Sequence, residues 1–136
     1  MSSPSASLAF DQPALAQAID SLSAAQLDDL GFGVIGFDDA GIVCLYNRFE
    51  SKAAALLPEN VVGLPVFINV APCMNNFMVA QRFEDAKEAG ADLDATVDFV
   101  LTWRMRPTDV KLRLLAGPGL RYRYVLINRL SSPAGR

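Results

Sequence analysis

From Thr96 the chain alternates. Val97, Phe99, Leu101 and Trp103 interleave with Thr96, Asp98 and Thr102, and Val110, Leu112 and Leu114 interleave with Lys111 and Arg113. Tyr122 to Arg129 follows as a third extended stretch, after the tight turn Gly117-Pro118-Gly119. A period of two sends successive side chains to opposite faces of a strand, and Gly-Pro punctuation reverses the chain. This half of the molecule therefore reads as consecutive strands of one sheet, and the residues before it must cover that sheet.

The first half supplies a hairpin and several helices. Gly33 to Phe37 reads as a strand, Asp38-Asp39-Ala40-Gly41 as a turn and Ile42 to Tyr46 as the partner strand. Upstream, Leu15, Ile19 and Leu22 share a helical face, with Asp11 and Pro13 at the helix start. Ser23 to Leu30 reads as a second short helix with Ser23 as its N-cap. Downstream, Asn47 to Leu57 reads as a helical turn or two, and Pro58 to Val62 leads to Gly63, a special-angle position. Val70-Ala71-Pro72-Cys73 reads as a buried loop, and Phe77 to Gly90 as a longer helix with a glycine C-cap. Tyr122 to Arg129 closes the sheet, with Arg121, Arg123 and Arg129 expected on a solvated face. The result is α+β, a five-stranded antiparallel sheet with short helices on one face and a longer connecting helix. Residues 1–30 form an N-terminal helical cap (1–7 frayed), 31–130 the core, and 131–136 a frayed tail. This order resembles that of PAS sensor domains, which hold a ligand between the sheet and the short helices.

Composition narrows the chemistry. The chain has 136 residues, enough for one domain, and 51% of them are hydrophobic. A net charge of −3 argues against a nucleic-acid surface. No apolar run approaches the roughly 20 residues of a membrane span. The first residues lack the basic-then-apolar build of a signal peptide, so a cytoplasmic location is expected. There is no histidine. An imidazole base, a histidine-ligated haem and a Cys–His nucleophile are thereby excluded. The two cysteines, Cys44 and Cys73, are too few for a zinc cluster. They read as free thiols, Cys44 packed in a strand.

Cys73, Tyr46 and Glu50 carry the functional signal. Taken singly, Cys73 is a buried inert thiol, Tyr46 a strand-end ring on the core and Glu50 a solvated glutamate at a helix start. Their neighbours change that. Ala25-Gln26-Leu27-Asp28-Asp29-Leu30-Gly31-Phe32-Gly33, Leu45-Tyr46-Asn47-Arg48-Phe49-Glu50, Val62-Gly63, Val66-Phe67, Asn69-Val70-Ala71-Pro72-Cys73 and Trp103-Arg104-Met105-Arg106-Pro107-Thr108 together resemble segments of the photoactive yellow protein family. That family comprises blue-light receptors of the PAS superfamily, and the resemblance runs from about Leu22 to Leu130.

The resemblance implies a covalent cofactor, p-coumaric acid (4-hydroxycinnamic acid), as a thioester on Cys73, with the Cys73 backbone N–H on its carbonyl. It implies Tyr46 and Glu50 at the phenolic oxygen, Ala54, Leu56, Val97 and Phe99 around the ring, and Met105 acting in thermal return of the isomer. A phenol has a reference pKa of about 10, so a buried phenolate needs strong donors. Charge-assisted bonds from Tyr46 and a protonated Glu50 would supply them. Light-driven isomerisation, proton transfer from Glu50 and a loosened cap would form the signal, passed to an unknown downstream protein by a monomer or weak dimer. Two positions depart from the family pattern. Ala54 replaces a threonine that bonds the tyrosine, and Leu56 replaces an arginine lid, which implies a drier lid and a shifted phenol pKa. A chromophore-free PAS module for protein interaction or small-ligand sensing is the alternative. An enzyme with Cys73 as nucleophile lacks its base, and neither cysteine has the sequence context of a flavin-binding light sensor.

Overall fold

The computed structural model describes residues 8–103 and 106–129. Two short helices come first, α1 (Leu15–Asp20) and α2 (Ala24–Leu27), followed by the hairpin of β1 (Gly33–Phe37) and β2 (Val43–Tyr46) and by helix α3 (Arg48–Ala54). Single helical turns at Pro58–Asn60, Val66–Val70 and Pro72–Met74 lead to α4 (Ala80–Ala89) and then to β3 (Leu93–Trp103), β4 (Arg106–Ala116) and β5 (Arg123–Arg129). All neighbouring strands are antiparallel, in the order β2-β1-β5-β4-β3. The last strand therefore lies at the centre, with Gly33 opposite Ile127 on one side and Leu114 opposite Val125 on the other.

Several local features follow from the residue types. Ser23 accepts from the Gln26 N–H while the Gln26 side chain accepts from the Ser23 N–H, a reciprocal cap that starts α2. Gly63 (φ 96°) and Gly90 (φ 62°) occupy left-handed angles, Gly90 at the C-cap of α4. Other boundaries differ from the sequence expectation. Helix α1 starts at Leu15 without a side-chain cap, so Asp11 does not begin it. Helix α2 ends at Leu27, short of Leu30. Ile42 leaves β2 to bridge Pro65. Helix α4 starts at Ala80 instead of Phe77, because the Asn76 side chain accepts from the N–H groups of Met78 and Val79 and holds a turn there. The expected loop before Cys73 is a wide helical turn over Val66–Val70 followed by a 3-10 turn. The frayed tails expected at 1–7 and 131–136 lie outside the described residues.

The sheet carries a core on each face. Ile35, Phe37, Leu112, Leu114, Val125 and Ile127 pack with Val66, Val70, Met74 and Phe83. Phe37 and Phe83 meet edge-on, with ring centroids 5.0 Å apart. The intervening residues Val34, Leu115, Tyr124 and Leu126 pack on Leu15, Ile19 and Leu27 of the N-terminal helices. Each such buried side chain contributes roughly 1.5–3 kcal/mol of apolar transfer.

Polar anchors fix the N-terminal segment to its face. Arg113 donates to both Asp94 carboxylate oxygens, each at 2.8 Å, and to the carbonyls of Phe10 (2.9 Å) and Gln12 (2.7 Å). The Tyr124 hydroxyl donates to Asp20 at 2.6 Å, and the Arg121 N–H donates to the same carboxylate. The arginines expected on a solvated face are therefore paired: Arg121 with Asp20, Arg123 with Asp39, and Arg129 with Glu50. Among the described residues no helix is long and apolar enough to cross a membrane.

Candidate functional site

The site begins where β2 turns into α3. Asn47 is buried, with extended backbone, and its side chain makes four hydrogen bonds. Its oxygen accepts from the N–H of Val34 (2.9 Å) and of Glu50 (3.1 Å), and its amide donates to the carbonyls of Leu27 (2.9 Å) and Phe32 (3.0 Å). An asparagine has two donors and a two-lone-pair oxygen, so this side chain is saturated. It caps α3 and ties that helix to β1 and to the end of α2.

The cap places Glu50 in the first turn of α3, facing β1. Glu50 is only 4% exposed. It fits because β1 has Gly33 at the contact, where a Cβ would lie 2.1 Å from Glu50 Oε1. From β5, Arg129 donates through Nη1 to Oε1 at 2.7 Å and through Nη2 to Oε2 at 3.1 Å, a bidentate pair. Burial pushes the Glu50 carboxyl above its usual range, and the Arg129 guanidinium pulls part of that back. Burial, and then the charge of Glu50, pushes the Tyr46 phenol up, so Tyr46 is a neutral donor. Among the described residues nothing accepts from or donates to its hydroxyl, although Tyr46 is 7% exposed.

Tyr46, Glu50, Arg129 and Cys73 line one cavity of about 40 Å³, together with Ala54, Leu56, Leu101 and Met74. Cys73 is half-buried within the 3-10 turn Pro72–Met74, and Asn76 donates to its carbonyl at 3.0 Å. Its own N–H has no acceptor among the described residues. Both cysteines are free thiols. Cys44 lies in β2 away from this cavity, and burial pushes its thiol up.

Five of the residues singled out in the sequence (Tyr46, Glu50, Ala54, Leu56 and Cys73) meet at this cavity. Val97 and Phe99 do not line it. They pack on the core from β3, while Leu101 of the same strand reaches the cavity. Met105 lies outside the described residues. Sequence reasoning missed Arg129, although a period-two signal was available. Val125 and Ile127 face the core on this side, and Arg129 continues their face.

The chemistry of this set is that of an anion holder beside an acyl acceptor. Tyr46 offers a hydroxyl with no partner among the described residues, Glu50 a proton or a charge, Arg129 a fixed cation and Cys73 a thiol. These groups fit a phenolic acyl group on the thiol. The cavity has room for only a few water molecules, so acylation requires its lining side chains to move apart.

No protein-family model matches the chain. Comparison with curated proteins finds photoactive yellow protein of Rhodothalassium salexigens, 33% identical over 105 residues, covering 77% of this chain and 83% of that protein. The counterpart in Halochromatium salexigens is 30% identical over the same share of each chain. Among solved structures, the photoactive yellow protein domain of the sensor histidine kinase Ppr from Rhodospirillum centenum superposes with a TM-score of 0.74 at 34% identity, covering 82% of this chain and 97% of that one. A PAS domain from Colwellia psychrerythraea (TM-score 0.60, 12% identity, 79% and 92% covered) shares the fold.

Proposed function

The chain belongs to the photoactive yellow protein family, and on that premise we propose that it is a blue-light receptor carrying p-coumaric acid as a thioester on Cys73. The observation that carries this reading is the convergence of Cys73, Glu50 and Tyr46, whose hydroxyl has no partner among the described residues, on one cavity. A p-coumaroyl thioester supplies a visible-absorbing phenolate and a double bond that light isomerises. Cys73 provides the sulfur, since a thiolate is the acyl acceptor, and its N–H, which has no acceptor among the described residues, is available to the thioester carbonyl. Tyr46 donates its hydroxyl proton as a hydrogen bond to the phenolic oxygen. Glu50, protonated, donates a second and can surrender that proton. Asn47 links the Glu50 helix to the carbonyls of Leu27 and Phe32, so a shift of α3 reaches the N-terminal helices. Ala54 and Leu56 add no polar side chain to the cavity. The downstream partner is a separate signalling protein or module, which reads the changed packing of those helices.

The test is direct. Purified protein is mixed with activated p-coumaric acid, and mass and visible spectrum are recorded. One stable adduct with a blue-absorbing band that bleaches in light, absent in Cys73→Ala, is the expected result. An adduct with no shifted band would show that Tyr46 and Glu50 do not hold a phenolate. No adduct at Cys73 would replace this reading with a chromophore-free PAS module.

A further inference from the structure

Arg129 is the only cation among the described residues that line the cavity. Its guanidinium stays protonated at every working pH, and its described hydrogen bonds go to Glu50 alone. A site with one fixed positive charge is neutral when it holds one anion. Zero anions or two would leave net charge in a poorly solvated place, which is costly. Glu50 and a phenolic group therefore share one negative charge between them. When Glu50 gives up its proton, its O–H bond breaks, a phenolic O–H bond forms, and the charge moves to the Glu50 carboxylate. Both carboxylate oxygens then already face donors, at 2.7 and 3.1 Å.

On the reading of this cavity as a phenolate holder, we infer that Arg129 is a positioning residue for the proton transfer: it receives the Glu50 carboxylate as a bidentate pair, so that charge moves without leaving a buried carboxylate unpaired. Tyr46 and Cys73 are the other titratable groups lining the cavity, and neither adds a positive charge. The consequence is a stabilised light state. Its return needs a proton back on a carboxylate that Arg129 holds, so return is slow.

The experiment has two arms. In protein without the acyl group, infrared titration follows the Glu50 carboxyl band, identified by its loss in Glu50→Gln. Arg129→Gln should raise the Glu50 midpoint by about one to three pH units, the usual effect of removing a close opposite charge. In p-coumaroyl-loaded protein, Arg129→Gln should shorten the dark-return lifetime roughly tenfold or more, the rate equivalent of one such unit. Arg129→Lys keeps the charge but loses the fork and should fall between the two; it carries the test should the glutamine variant fail to fold. Midpoints equal to that of the unaltered protein in these variants would overturn the inference. Failure of the unaltered protein to form an adduct would sink the photoreceptor reading alone, because the infrared arm does not use the chromophore.

Discussion

On opposite faces of the sheet, Arg113 and Arg129 each pair with a carboxylate, and the two are used differently. On the N-terminal face, Arg113 is committed at Nε, Nη1 and Nη2, to Asp94 and to two backbone carbonyls. On the cavity face, the described hydrogen bonds of the Arg129 guanidinium go to Glu50 alone, and a neighbouring tyrosine hydroxyl has no partner among the described residues. The first guanidinium commits four of its five donors, and its partners are places along the chain, so it acts as a fastener. The second makes two described hydrogen bonds, both to a partner whose charge can change. The same type of side chain clamps backbone carbonyls in one place and a titratable buried carboxylate in the other.

Removing each arginine tests that contrast. Arg113→Met should cost about 3 kcal/mol of unfolding free energy, since it strips a charged clamp and leaves two carbonyls unpaired. Denaturant titration measures it, and the loss should hold across neutral pH. Arg129→Met should cost only about 1–2 kcal/mol at pH 7, less than a typical broken buried pair, because Glu50 can take up a proton. That cost should fall on acidification, as Glu50 becomes protonated in both proteins. Equal, pH-independent losses at the two positions would erase the distinction.

Two smaller effects sharpen it. The Glu50 carboxyl is raised above its reference value of 4.5 in the folded protein. A raised folded value means the folded state holds the proton more tightly. Stability from this group is therefore complete below about pH 4.5 and is lost as pH rises through the folded value. Glu50→Gln should remove that decline, so its stability relative to the unaltered protein should improve from pH 4.5 upward. A parallel pair of pH profiles would contradict the assignment. Gly33→Ala should cost about 1 kcal/mol by crowding, and its added methyl should displace the Glu50 carboxylate. The displaced Glu50 midpoint, read by infrared, is the sharper signature.

Much of the scaffold was legible because it rests on local rules. The β1 span, the Ser23 cap, Gly63 and the Gly90 terminus follow from alternation, capping chemistry and positive φ. The start of α4 was not, because Asn76 competes for backbone donors that a periodicity count assigns to the helix. At the site, Tyr46, Glu50 and Cys73 were visible through their sequence context. Arg129 was hidden by habit, since alternating arginines near a chain end usually mark a wet face. The face it occupies is set by Val125 and Ile127, and its partner lies far away in the sequence, so charge alone did not reveal it. Val97 and Phe99 show the converse. They share the alternation of Leu101, but among the described residues of β3 the cavity is lined by Leu101 alone.

The central position of β5 also bears on how the molecule is made. The β1–β2 and β3–β4 hairpins are local and can form as soon as each is synthesised. Neither can join the other until residues near Val125 and Ile127 have left the ribosome, because β5 is the seam between them. The cavity is finished at the same moment, since Arg129 is the last residue of that strand. A nascent chain displays Cys73 long before it has a site around it. Until β5 docks, Cys73 and Glu50 have no closed cavity between them, and loss of a few residues at the end of β5 would remove Arg129 from its lining.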